Sequence, residues 1–300
     1  MVEIGRLLTA MVTPFDGEGR VDYKQAKRLA LSLVNSGSDG VVVVGTTGES
    51  PALSRDEQSR MFGEVVDALR GKGSVVAGAG SNNTLEAVEY THDAEEAGVD
   101  AVLHVVPYYN KPTQEGLNQH FTAVAESTHL PVILYNVPSR TIASLSAETT
   151  IRLSRIPNII GIKEASADLE QIARIIDGAG DGFKVWSGND ADTFHIMCLG
   201  GYGVVSVVSH LVGRQIKSMM QMLIDGSISG AAAEHRRLLP LFKGLFVVSN
   251  PIPVKYCVNL AGLNVGKPRL PLTEPDEATA AFLRDLLNRY EIDLPVASVA

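Results

Sequence analysis

The sequence predicts a (β/α)8 TIM barrel, in which eight parallel strands are each followed by a helix, with a helical extension at the C-terminal end. Runs rich in valine and isoleucine recur at intervals of roughly 20 to 35 residues. Each run is almost wholly apolar, as expected for parallel strands buried on both faces. Stretches of helical period separate the runs, and eight such units favour a closed barrel. The runs are LLTAMVTPF (7–15), VVVVG (41–45), VVAGAG (75–80), AVLHVVPYY (101–109), PVILYNVP (131–138), IIGIKEAS (159–166), FKVWSGND (183–190) and GVVSVVSH (203–210).

The stretches between the runs carry helix start and stop signals, for example in 22–37, 55–73 and 85–98. Predicted N-caps are Ser54, Thr84 and Ser146, and predicted terminators are Gly37, Gly71 and Gly98. The eighth unit closes near residue 226, so we predict a barrel over 1–226 and a helical extension over 227–300, with a proline-rich break at 250–253. An open doubly wound sheet is the alternative, but no Gly-x-Gly-x-x-Gly turn follows the first run.

Composition narrows the class of protein. The 300 residues carry a net charge of −8, which argues against broad nucleic-acid binding. Cys198 and Cys257 lie far apart and form no metal-binding pair, so a reducing, cytoplasmic location fits best. We expect no signal peptide, and no run reaches the roughly 18 apolar residues of a membrane span. The seven histidines show no metal-ligand spacing, so no metal site is expected.

Polar residues follow the ends of the predicted strands. Active sites of such barrels lie at the carboxyl ends of the strands, so these side chains should meet at one mouth. They include Thr46, Thr47, Tyr109, Tyr135, Arg140, Lys163 and the stretch 187–190.

Lys163 is the most informative of these residues. It ends the apolar stretch 159–162, where partial loss of water would lower the pKa of its amine. A neutral amine can attack a carbonyl and form an imine. The alternative is a lysine that ends the strand and pairs with Glu164 or another carboxylate. Tyr135 and Tyr109 could carry protons nearby, or pack as rim aromatics.

Two further features could bind anions. The turn Gly45–Ser50 (GTTGES) could do so through backbone N–H groups and hydroxyls, although a turn that caps the next helix is the plainer interpretation. Arg140 could hold a carboxylate in a bidentate grip, or could be a solvated surface arginine.

Taken together, the motifs resemble those of the dihydrodipicolinate synthase family of pyruvate-dependent class I aldolases. The resemblance spans nearly the whole chain and is carried by seven ordered motifs: GTTGES (45–50), PYYNKPTQEG (107–116), YNVPSRT (135–141), GIKEAS (161–166), SGND (187–190), GGYGVVSV (200–207) and NPIPVK (250–255).

The resemblance implies a role for each candidate. Lys163 would form an imine with pyruvate, and Tyr135, hydrogen-bonded to Thr46, would relay protons. Tyr109 would complete the relay from the neighbouring subunit of a dimer, within a homotetramer built as a dimer of dimers. The remaining binding residues would be Thr47 for the pyruvate carboxylate, Arg140 for the carboxylate of L-aspartate 4-semialdehyde, and Gly188 and the main chain at Val205 as borders of the pocket. No metal or organic cofactor would be required.

The resemblance also implies a regulatory site, because some bacterial relatives bind lysine at the dimer interface. Ser50, Asn82, Glu86 and Tyr108 match that site. Arg55 and Gln58 stand where strongly inhibited enzymes have histidines, so we expect weak or absent inhibition by lysine. Ile142 and Asn189 also depart from common family residues, next to Arg140 and Gly188 respectively.

Two other functions remain open at this stage. A related aldolase acting on sialic acid or 2-keto-3-deoxy sugar acids would use the same lysine and tyrosine, although Arg140 and the paired Tyr108 and Tyr109 fit the synthase better. A catalytically silent barrel that senses a ligand is the second, and the intact candidate set argues against it.

Overall fold

Eight parallel strands form a closed barrel in the computed structural model, which describes residues 3–294. Each strand pairs with its neighbours in chain order, and the last strand closes onto the first. The strands are β1 (Leu7–Ala10), β2 (Gly40–Val43), β3 (Ser74–Gly78), β4 (Ala101–Val105), β5 (Val132–Asn136), β6 (Ile159–Glu164), β7 (Lys184–Ser187) and β8 (Gly203–Ser206). The predicted (β/α)8 barrel is confirmed.

Helices connect the strands and continue beyond the barrel. They are α1 (Tyr23–Asn35), α2 (Arg55–Leu69), α3 (Thr84–Glu96), α4 (Gln114–Glu126), α5 (Pro138–Thr141), α6 (Ala147–Leu153), α7 (Leu169–Gly178), α8 (Thr193–Cys198), α9 (Ser209–Ile224), α10 (Ile228–Gly244), α11 (Ile252–Leu260) and α12 (Glu277–Leu287). Two short 3-10 turns, Ser50–Ala52 and Asp190–Asp192, follow β2 and β7. Within residues 3–294, no helix is both long and apolar enough to cross a bilayer.

The predicted helix caps are correct with one exception. Ser54 forms a capping box with Glu57 at the start of α2, and Ser146 caps α6. The prediction for Thr84 is wrong, because Asn83 caps α3 by accepting the N–H of Leu85. Both residue types cap well, so the sequence alone does not choose between two adjacent candidates.

The extension begins with α10, and the predicted division at residue 226 falls in the turn between α9 and α10. The proline-rich segment is more regular than predicted, because α11 starts at Ile252 with Pro253 in its first turn, where proline is tolerated. The extension docks on the barrel: the N–H of Asp293 donates to the carbonyl of Leu211 at 2.7 Å. It therefore reaches the side of the barrel and, through α11, the mouth.

Candidate functional site

A cavity of about 180 Å³ lies at the carboxyl ends of the strands. Six of the predicted catalytic and substrate-binding residues line it: Thr46, Thr47, Tyr135, Arg140, Lys163 and Gly188. They come from different parts of the chain and meet because the closed barrel brings all strand ends to one rim.

Lys163 lies on β6 between Tyr135 of β5 and Trp186 of β7. Its side chain is buried, and its Nζ lies 4.0 Å from the centroid of the Tyr135 ring. Burial lowers the pKa of Lys163 to about 7; the positive charge of Arg140 also lowers it, and the negative charge of Asp190 opposes the shift. A substantial fraction of the amine is therefore neutral and nucleophilic near pH 7.

Tyr135 is buried beside the amine. Burial raises the pKa of its phenol to about 12, with a further upward contribution from Glu164 and an opposing one from Arg140. At neutral pH the phenol keeps its proton and can donate it to an oxygen or nitrogen within reach. Within residues 3–294, no hydrogen bond joins it to Thr46, although both line the same cavity.

The turn from Gly45 to Ser50 is shaped by two residues in the left-handed region, Val44 with φ 59° and Glu49 with φ 57°. The N–H groups of Glu49 and Ser50 donate within the turn. Those of Thr46 and Thr47 donate to no acceptor in the described part of the chain, and both residues line the cavity. The turn can therefore offer backbone donors to a carboxylate.

The far side of this turn is fixed by a buried ion pair. Glu49 accepts a hydrogen bond from Lys255 Nζ of α11 at 2.8 Å, and both side chains are 1% exposed. The second oxygen of Glu49 accepts the N–H of Arg269 at 2.8 Å. Lys255 also donates to the carbonyl of Lys267 and lies 4.1 Å from the centroid of the Phe15 ring. The C-terminal extension thus anchors the turn that carries Thr46 and Thr47.

Arg140 lies on the short helix α5 at the rim. Its guanidinium is exposed, lines the cavity and forms no ion pair with any residue from 3 to 294. The segment behind it is tied down by Asn136, which accepts the N–H of Leu145 and donates to both oxygens of Glu164 at 3.1 Å. Ile142 in the same segment has φ 66°, a strained conformation for a β-branched residue. A guanidinium on an anchored segment, with no ion-pair partner among the described residues, is suited to holding a carboxylate.

Gly188 borders the cavity, and no larger residue fits at this position. A Cβ at this position would lie 2.6 Å from Ala165 Cβ and 3.1 Å from the carbonyl oxygen of Glu164. Val205 does not line the cavity: it pairs with Leu8 inside the sheet, and Val207, two residues further on, borders the cavity instead. β8 ends at Ser206, so the residue that borders the cavity lies just after the strand.

Tyr109 does not reach the cavity in the single chain. It is 88% exposed, with φ 74°. The turn that carries it is fixed by Asn82, whose Nδ2 donates to the carbonyl of Tyr108 at 3.1 Å, and by Asn110, whose Nδ2 donates to the carbonyl of Asn82 at 2.8 Å. The side chain is therefore almost fully exposed on an ordered turn, outside the lining of the chain's own cavity.

Three of the four residues of the predicted regulatory site are linked by a hydrogen bond or by charge. Asn82 and Tyr108 are in contact, and the carboxylate of Glu86 accepts from Ser81 and helps to raise the pKa of Tyr108, although burial is the larger cause. Ser50, the fourth predicted residue, lines the main cavity. Asn82, Glu86 and Tyr108 thus form one cluster beside the Tyr109 turn.

Asn250 also lines the cavity, although the motif NPIPVK by itself predicted no role for it. Its Nδ2 donates to Thr47 Oγ1 at 2.8 Å, and its buried Oδ1 has no partner among residues 3–294. It therefore fixes the hydroxyl of Thr47 and presents a polar group to the cavity. The sequence feature that could have pointed to Asn250 is its position at the start of the proline-rich segment. No three His, Cys, Asp or Glu side chains in the same range form a group that would hold a metal ion.

Comparisons with known proteins show the family to which the chain belongs. The model of the dihydrodipicolinate synthetase family matches residues 3–289. The 4-hydroxy-tetrahydrodipicolinate synthase of Dehalococcoides mccartyi is 59% identical over 296 residues, covering 99% of this chain and 100% of the relative. That of Symbiobacterium thermophilum is 53% identical over 96% of this chain and 98% of the relative. The crystal structure of the enzyme from Cyanidioschyzon merolae with lysine bound superposes with a TM-score of 0.94 at 45% identity, covering 95% of this chain and 98% of that one. The chain belongs to the dihydrodipicolinate synthetase family.

Proposed function

We propose that this chain condenses pyruvate with L-aspartate 4-semialdehyde to 4-hydroxy-tetrahydrodipicolinate, the first committed step of the diaminopimelate route to lysine. It is a lyase of the class I aldolase type. The observation that carries the proposal is Lys163, a buried amine whose pKa is lowered to about 7, in a cavity also lined by Arg140, whose guanidinium has no ion-pair partner among residues 3–294. We infer that the reaction takes place in the cytoplasm, because the free thiols of Cys198 and Cys257 are suited to a reducing compartment.

The first half of the reaction forms a nucleophile from pyruvate. Neutral Lys163 adds to the ketone, and loss of water leaves a protonated imine. Thr47 and the backbone N–H groups of its turn hold the pyruvate carboxylate, while Tyr135 moves protons to and from the reacting atoms. The imine nitrogen draws electrons from the methyl group, which loses a proton and becomes an enamine. No metal or organic cofactor takes part in this route.

The second half joins the two substrates. Arg140 holds the carboxylate of the semialdehyde, so its aldehyde lies next to the enamine carbon. The enamine carbon attacks the aldehyde, which forms the carbon–carbon bond and regenerates the imine. The amino group of the semialdehyde then adds to the imine carbon, closes the ring and releases Lys163. Gly188 and the main chain after Val205 border the pocket in which the two substrates meet.

We propose that the working unit is a homotetramer built as a dimer of dimers. Tyr109 supports this proposal, because its phenol is almost fully exposed on a turn held by Asn82 and Asn110. In a dimer, the phenol would enter the partner's site and complete the proton relay with Thr46 and Tyr135. If sedimentation analysis shows that the dilute protein is a monomer and that monomer is fully active, this arrangement is contradicted.

The function is tested by comparing substrates. Turnover of pyruvate with L-aspartate 4-semialdehyde should exceed cleavage of sialic acid or 2-keto-3-deoxy sugar acids by about 100-fold or more in kcat/KM, because Arg140 is positioned for a small carboxylate. Equal or faster cleavage of the sugar acids would assign the chain to the other aldolases. No turnover of any of these substrates would favour a ligand-sensing barrel.

A pair of variants ties this test to Arg140. Arg140→Met should raise the KM for the semialdehyde, while pyruvate should still be trapped on the enzyme by borohydride. Arg152→Met is the matched control, because Arg152 is exposed on α6 and paired with Glu115 at 2.8 Å. If both variants behave alike, Arg140 does not hold the second substrate.

We propose that L-lysine inhibits this enzyme weakly or not at all. Arg55 is held by Asp93 at 2.6 Å and Glu89 at 2.6 Å, and the amide of Gln58 donates to the carbonyls of Ser50 and Leu53. Neither side chain supplies the imidazole of strongly inhibited relatives. In the assay above, we expect less than half inhibition at about 1 mM lysine, which corresponds to binding weaker than about −4 kcal/mol.

The reciprocal variant sharpens this test. Replacing both residues, Arg55→His with Gln58→His, should increase the sensitivity to lysine while leaving the uninhibited rate unchanged. Half inhibition of the unaltered enzyme well below 1 mM would show that histidines at these two positions are not needed.

A further inference from the structure

Asp190 is a buried carboxylate that the reaction described above does not use. It is 3% exposed and follows the cavity residues Gly188 and Asn189 directly. It accepts hydrogen bonds from Ser206 Oγ and from the N–H groups of Val207 at 3.0 Å and Val208 at 3.3 Å. Burial raises the pKa of Asp190, while these three donors and the charge of Lys163 favour the ionised carboxylate and oppose that rise.

The barrel places Asp190 after the strand that neighbours the one carrying the reacting amine. β7 lies next to β6, which carries Lys163, and Asp190 bridges the ends of β7 and β8. Glu164, the neighbour of Lys163 in sequence, is engaged elsewhere by Asn136, Ser166 and Gln171. Among the carboxylates of residues 3–294, Asp190 is the one whose charge acts on Lys163.

The reaction creates a charge that needs such a partner. A neutral amine becomes a cationic imine, first when pyruvate loses its oxygen as water and again after the carbon–carbon bond forms. The charged groups that act on the Lys163 nitrogen are Asp190 and Arg140, and the protonated phenol of Tyr135 lies beside it. Arg140 disfavours a cation, and a fixed negative charge in a buried site counteracts that effect strongly.

We propose that Asp190 is the fixed counter-charge of the cationic imine on Lys163, held in place by Ser206 and the start of α9. This rests on the proposed function, because it requires an imine. Asp190 is a positioning residue in this role: it acts on substrate through the charge of Lys163, and no proton or electron pair passes to it.

The test compares three variants with the unaltered enzyme. Asp190→Asn removes the charge and keeps the shape. Ser206→Ala removes one hydrogen-bond donor and keeps the charge. Asp192→Asn is the matched control, because Asp192 lies in the same 3-10 turn and accepts from Asn189 at 2.9 Å. For each, borohydride trapping of pyruvate on Lys163 is measured against pH, together with kcat, KM and the thermal midpoint.

We expect Asp190→Asn to reduce trapped pyruvate and kcat/KM by about 10- to 100-fold, and to move the trapping midpoint down by about one pH unit, since losing a nearby opposite charge lowers the pKa of an amine. Ser206→Ala and Asp192→Asn should keep the midpoint of the unaltered enzyme. An unchanged midpoint in Asp190→Asn, or the same shift in Ser206→Ala, would overturn the proposal. Failure of the unaltered enzyme to trap pyruvate on Lys163 would overturn the proposed function instead.

Discussion

Replacing Lys163 with arginine is expected to abolish imine formation and to lower kcat by about 10⁴-fold or more, as loss of a covalent nucleophile does in other enzymes. Arginine keeps the positive charge and much of the length, but its guanidinium stays protonated at any working pH and cannot attack a ketone. The measurement is borohydride reduction with pyruvate followed by peptide mass mapping, together with steady-state rates.

The same experiment has a matched control in Lys184→Arg. Lys184 begins β7, at the opposite end of the barrel from the cavity, and its Nζ lies 4.3 Å from the centroid of the Tyr202 ring. Arginine can make the same contact, so activity should be retained. Pyruvate trapped on any peptide other than the one containing Lys163 would refute the assignment.

The pH dependence of trapping follows from the same residue. The pKa of Lys163 is lowered to about 7, so the amine is mostly protonated below pH 7 and mostly neutral above it. The initial rate of imine formation should therefore rise through pH 7 and level off above about pH 8. A rate that keeps rising to pH 10 would mean that the amine has the pKa of an ordinary lysine.

The fold was predictable because buried parallel strands give apolar runs that recur with a clear spacing. The apolar runs do not show where each strand ends. In GVVSVV, the residue types do not distinguish Val205 from Val207 as the one that borders the cavity. The positions of Lys163 and Tyr135 at the rim were predictable because each polar residue interrupts an apolar run, and that of Arg140 because it follows such a run closely. The position of Tyr109 relative to a partner's site depends on a second chain, which one sequence does not place.

Contacts between distant parts of the chain were the least predictable. Asn250 and Thr47 are 203 residues apart, and Lys255 and Glu49 are 206 apart. The motifs NPIPVK and GTTGES are both recognisable in the sequence, but neither pattern predicts that the two motifs contact each other. Asp190 was visible in SGND, but its effect on Lys163 required the neighbouring ends of β7 and β8.

Replacing Lys255 with methionine is expected to destabilise the protein by about 3–5 kcal/mol, the usual cost of removing one partner of a buried ion pair. Glu49 would remain buried with the N–H of Arg269 as its only remaining hydrogen-bond donor within the described chain. The measurement is the free energy of unfolding from denaturant titration. Lys267→Met is the matched control: Lys267 pairs with Glu274 at 2.6 Å, but the two side chains are 74% and 52% exposed, so the change should be far smaller.

A double variant separates stability from the positioning of the turn. In Lys255→Met with Glu49→Gln, no buried charge is left unpaired, and the amide oxygen at position 49 can still accept the N–H of Arg269, so most of the lost stability should return. The turn would nevertheless lose its bond to α11, so Thr46 and Thr47 would be held less firmly. We therefore expect KM for pyruvate to stay raised in the double variant although its unfolding free energy recovers. Recovery of both quantities would mean that the ion pair contributes to folding alone, and that Asn250 is sufficient to position the turn from the extension.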